Sequence, residues 1–122
     1  MSRTRIKIAL PFPKAIHSHN TGHWRAKAGP IKAMREHACL LGRQAVAEHG
    51  KLAGAFEMSY TIHVPDKRRR DTVNMLQQCK PYLDGIVDSG LIEGDHWAIC
   101  QLNKVHVFHD KGVSAVVLEF WQ

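Results

Sequence analysis

One stretch of the chain alternates without a break. Phe56, Met58, Tyr60, Ile62 and Val64 take turns with Glu57, Ser59, Thr61 and His63, and Pro65 stops the run. Successive side chains on a strand point to opposite faces, so this pattern calls for a strand with one buried face. Such a face needs a sheet and a second layer to cover it, and the flanking segments supply both. In residues 4–10, Ile6, Ile8 and Leu10 alternate with Arg5 and Lys7 until Pro11 and Pro13. Residues 31–48 switch to helical spacing, with Ile31, Met34, Ala38, Leu41, Ala45 and Val46 along one side. Between them, residues 14–30 carry Gly, Pro and His and read as a long loop.

After Pro65 a second helical segment runs through residues 72–89, with Pro81 predicting a kink or break and Gly90 the stop. Residues 91–95 form a connector. Residues 98–109 and 113–121 read as two strands joined in a hairpin at Asp110-Lys111-Gly112. Trp97 and Trp121 are expected to pack in the core. The order β-α-β-α-β-β specifies an α/β (α+β) domain with two helices packed on a mixed sheet. At 122 residues the chain is long enough for one core and one domain, residues 1–122.

No apolar run approaches the roughly 18 residues of a membrane span, and residues 6–10 are too short for a signal peptide, so the expectation is a cytoplasmic protein. Cys39, Cys79 and Cys100 are widely spaced with no C-x-x-C, which fits reduced thiols and excludes a four-cysteine zinc site. His17-x-His19, His106 and His109 lack a third ligand at a diagnostic spacing.

Charge is unevenly divided. Residues 1–70 hold fourteen basic and four acidic side chains, a net +10, while residues 71–122 hold three and seven, a net −4. A basic half beside an acidic cluster suits a protein that grips a polyanion and carries metal-binding carboxylates; the plainer reading is a basic protein with solvated charges. The sharpest juxtaposition is Lys67-Arg68-Arg69-Arg70 running into Asp71 and Asn74. From spacing alone, Asp71 is first a helix N-cap and the basic run a solvated loop. The functional alternative has the cations holding phosphates while Asp71 takes a divalent metal. Lys80, Asp84 and Asp88 repeat at four-residue spacing and share a helix face, and Asp95 lies in the connector.

These residues also carry a resemblance. Pro65-Asp66-Lys67-Arg68-Arg69-Arg70-Asp71 with Asn74, then Lys80-Pro81-x-Leu83-Asp84-Gly85, Asp88-x-Gly90 and Asp95, resemble the RusA family of bacterial and phage Holliday-junction resolvases. The family pattern is R-R-D-x-D-N, a K-P-x-L-D-G helix and a D-D pair. Asn20-x-x-His23-Trp24-Arg25, with Lys32 and Arg35 beyond, looks like the family's other basic region. Order and length agree over nearly the whole chain.

The resemblance implies a homodimeric endodeoxyribonuclease that nicks opposed strands of four-way junctions, in recombination and repair, by hydrolysis dependent on Mg²⁺, with Mn²⁺ as a substitute. It assigns catalysis to Asp71, Asp95, Lys80 and Asp84, with Asp71, Asp95 and Asp84 on the metal. It assigns DNA binding to Lys67, Arg68, Arg69, Arg70, Asn74, Asn20, His23, Trp24, Arg25, Lys32 and Arg35. Val73 stands where the pattern has its second acid, and Gly94 where the D-D pair begins. The alternative is therefore a junction-binding protein of low or no activity on the same fold. Val105, Val107, Val116 and Leu118 are the candidate dimer interface.

Overall fold

The computed structural model describes residues 3–13 and 24–122, with the side chains of residues 24–27 outside that description. Its elements are β1 (Arg5–Pro11), α1 (Trp24–His49), β2 (Phe56–His63), α2 (Thr72–Ser89), β3 (Cys100–Phe108) and β4 (Ala115–Trp121). This is the expected α+β order of two helices on a four-stranded mixed sheet.

The strand order is β1-β4-β2-β3. β4 lies antiparallel to both β1 and β2, and β3 lies parallel to β2 at the sheet edge. This corrects the expected hairpin. The turn forms where it was expected: Gly112 has φ 80°, and the Val113 amide donates to the Asp110 carbonyl at 3.0 Å. The strands on either side of it are not neighbours, because β2 lies between them. Tyr60 pairs with Val105 on one side and Leu118 on the other. A turn is a local property, whereas the choice of neighbour is set by which apolar face each strand can cover.

Register places Ile8, Leu118, Tyr60 and Val105 in one row, so one sheet face gathers the apolar side chains. Phe120, Leu118, Val116 and Ile62 are fully buried there, together with Ile86 of α2. Val116 and Leu118 belong to the protomer's own core and are not available to a dimer interface, which corrects that expectation. The opposite sheet face carries Arg5, Lys7, Glu57, Glu119 and Trp121.

α1 begins at Trp24 rather than at residue 31, so the segment read as loop is helical from there and Pro30 lies inside the helix. Ala38 and Ala45 of its apolar face are buried, and Met34, Leu41 and Val46 are partly so. α2 runs unbroken through Pro81. Proline removes one bond to the carbonyl of Gln77, which is exposed and open to water. Met75, Cys79, Tyr82, Leu83 and Ile86 bury the other side of α2, and that burial outweighs the lost bond. The two helices cross closely at Gly85, where an added Cβ would lie 2.2 Å from the Arg35 carbonyl oxygen. Among the described residues, no helix is long and apolar enough to cross a membrane.

Candidate active site

The junction between β2 and α2 is built around Asp66. Its carboxylate accepts from the Arg68 amide at 2.8 Å and pairs with the Arg70 guanidinium at 2.9 Å. Arg70 also donates to the carbonyls of Asp66 and Arg68 and lies 5.5 Å from the centre of the Phe12 ring. These bonds hold the Asp66 carboxyl below its ordinary pKa, the Arg70 hydrogen bond first among the causes. Arg70 is thus a clamp that shapes the loop rather than a free cation. Lys67, Arg68 and Arg69 remain exposed, with the Arg68 guanidinium 3.7 Å from the Asp66 carboxylate.

Asp71 follows as the N-cap of α2, in extended backbone geometry, and its carboxylate accepts from the Asn74 amide at 3.1 Å. The local reading of this residue therefore holds. Asn74 contributes its backbone to that cap.

A second cluster forms farther along α2. The Lys80 ammonium donates to Asp84 Oδ1 at 2.8 Å, one turn on, and to Asp95 Oδ2 in the connector before β3. Burial lowers the Lys80 pKa, but the two carboxylates together raise it above the ordinary lysine value, so the ammonium stays charged. Tyr60 and Cys79 are buried in the core. Burial pushes the Tyr60 hydroxyl up, Asp95 and Asp84 adding to it, and pushes the Cys79 thiol up to about 12.

The structure does not bring Asp71 to this pair as one metal set. Asp71 and Asp84 are thirteen residues apart on one helix, about 19 Å along its axis. Oxygens that share one Mg²⁺ lie roughly 2.1 Å from it, hence within about 4 Å of each other. Among the described residues, no three His, Cys, Asp or Glu side chains are grouped to hold a metal ion. Asp84 and Asp95 alone converge on one cation. Their hard oxygens suit Mg²⁺, which commonly takes only one or two protein carboxylates beside water and phosphate.

The rest of the K-P-x-L-D-G-x-x-D-x-G segment is structural. Gly85 permits the helix crossing, and Asp88 makes a two-pronged pair with Arg35 of α1, one arm at 2.8 Å. Gly90 ends α2 with φ 83°. Arg35 therefore ties α1 to α2, with its side chain half exposed. Lys32 is exposed, 3.9 Å from Glu36. Asn20 and His23 lie outside the described residues. Trp24 and Arg25 open α1, their side chains outside the description. Sequence reasoning missed the Asp66–Arg70 clamp, for which the four-residue spacing of the two was the available signal. It also placed Trp97 in the core, whereas Trp97 is 92% exposed and Trp121 half-buried.

No family model matches the chain. It is similar to an uncharacterized protein of Xylella fastidiosa, 31% identical over 85 residues, which are 67% of this chain and 56% of that protein. The chain thus spans little more than half the length of the relative it matches. Thiamine monophosphate kinase of Aquifex aeolicus superposes with a TM-score of 0.43 at 8% identity, over 98% of this chain and 32% of that one.

Proposed function

We propose that the chain is a RusA-like structure-specific endodeoxyribonuclease that nicks four-way DNA junctions, acting in the cytoplasm of a bacterial or phage-infected cell. The observation that carries this reading is the convergence of Asp84 and Asp95 on Lys80. Lys80 and Asp84 stand on the helix that Asp71 caps, and that helix begins just after the exposed cations Lys67, Arg68 and Arg69. Asp84 and Asp95 are the residues that would hold a divalent metal. A bound Mg²⁺ or Mn²⁺ would supply charge neutralisation at the phosphate and a more acidic water. Lys80, displaced from its two carboxylates, would remain as a positive charge for the phosphate oxygens. Lys67, Arg68 and Arg69 track the backbone without reading bases. A two-fold pair of chains would present two equivalent sites to two strands.

The separation of Asp71 from Asp84 favours one second reading. With Val73 and Gly94 in place of acids, the same surface would bind junctions without cutting them. The experiment is cleavage of a labelled four-way junction beside a linear duplex, with Mg²⁺, Mn²⁺ or chelator. Metal-dependent paired nicks in the junction alone support the nuclease. Tight junction binding with no nicks in either metal supports the second reading and overturns the first.

A further inference from the structure

β3 stands at the end of the strand order and pairs with β2 alone. The register slips at Asn103, and pairing is regular from Lys104 to Phe108. The Phe108 carbonyl accepts from the Val64 amide at 2.8 Å. Backbone groups alternate sides along a strand, so residues 104, 106 and 108 turn theirs to β2, and Val105 and Val107 turn theirs outward. Among the described residues, nothing takes those outward N–H and C=O groups. Exposed apolar side chains gather on the same strand: Leu102, Val107 and Phe108 are 46%, 40% and 45% exposed. An open edge of this kind is a template for another strand.

Charge decides which strand. Lys104 and His106 pair with Ser59 and Thr61, on the sheet face away from the helices. Val105 and Val107 pair with Tyr60 and Ile62, whose side chains are in the core. Residues 96–109 contain no Asp or Glu. Antiparallel pairing of two β3 strands would therefore put Lys104 and His106 of both copies on one face with no acid among them, which disfavours a second copy. We infer that β3 accepts an extended acidic segment of another protein as an added strand. Its residues alternate, apolar beside Val105 and Val107, carboxylate beside Lys104 and His106. The backbone ladder selects a peptide: a nucleic-acid strand offers Lys104 a phosphate, but no alternating donors and acceptors to match Val105 and Val107. The inference does not depend on the nuclease reading, so each can fail alone.

The test uses the whole protein and a labelled peptide alternating glutamate and valine. A lysine–valine peptide and a block-ordered peptide of the same glutamate–valine composition are the controls. Anisotropy gives affinity, and amide hydrogen exchange gives the place. The expected result is binding of the alternating acidic peptide alone, with exchange slowed at the Val105 and Val107 amides. Val107→Pro removes an outward donor and leaves the ladder to β2 whole, and should weaken binding about tenfold. Lys104→Glu, at an exposed position that the fold does not need, should weaken it roughly threefold and favour the lysine–valine peptide instead. Equal binding of the three peptides, protection elsewhere than on β3, or no binding overturns the inference. A free protein whose mass in sedimentation is halved by Val107→Pro places a second copy on this edge and overturns it too. A thymidine oligonucleotide that slows the same two amides overturns it in favour of DNA.

Discussion

Single residues divide by how local their role is. Asp71 was readable as an N-cap because the cap needs only the next three residues. Its two roles separate by substitution: Asp71→Ala should cost about 1 kcal/mol in denaturant unfolding, and Asp71→Asn almost nothing, since asparagine caps as well. A loss of activity in Asp71→Asn would then report the charge alone. Val73 is 61% exposed in the first turn of α2, where a carboxylate meets the positive end of the helix dipole. Val73→Asp should therefore stabilise the fold by about 0.3–1 kcal/mol in the same assay. Packing offers no obstacle to an acid at this position. Trp97 was misread because its burial depends on what the fold brings over it, and nothing in the neighbouring residues encodes that. Cys79, buried with its thiol pushed up to about 12, should react with a disulfide reagent at pH 8 only after unfolding.

At the scale of elements, periodicity was enough to find both helices and all four strands, but not the start of α1 at Trp24 or the continuity of α2 through Pro81, and it did not reveal strand order. The β3–β4 turn forms as its residues dictate, yet β2 intervenes, because pairing partners are chosen by long-range burial. The α1–α2 contact shows the same limit. Gly85 and Asp88 sit in a motif that reads as chemistry, but Gly85 lets the Arg35 carbonyl approach and Asp88 binds the Arg35 side chain. Gly85→Ala should push the helices apart and lower stability by about 1–3 kcal/mol, with the midpoint shifted and the slope retained. The Arg35 hydrogen bond holds Asp88 below its ordinary pKa. Its contribution is therefore complete above the unfolded value of about 3.9 and is lost as pH falls through the lowered value. Asp88→Asn should remove that part of the acid dependence and leave the neutral-pH baseline lower. A pH series of thermal midpoints reads both effects.

The whole molecule is a sheet with one apolar face under two helices and one face of paired charges, its basic residues gathered in the first seventy positions. The fold class was legible as a whole because each element's pattern agreed with it. The site was legible only in part: Lys80, Asp84 and Asp95 meet, whereas Asp71 stays at the far end of α2. Charge predicts steep salt dependence. Replacing Lys67, Arg68 and Arg69 together by glutamine should reduce the slope of log affinity against log salt by about 2 to 3, while Arg70→Gln should mainly loosen the loop. The most direct test of the proposed reaction centre is the rate of paired nicking of a four-way junction by wild type and by Asp95→Asn, in Mg²⁺ and in Mn²⁺. The account predicts nicks by wild type that Asp95→Asn abolishes while junction affinity is kept. Nicking that survives Asp95→Asn, or a wild type that binds the junction and never cuts it, would contradict it.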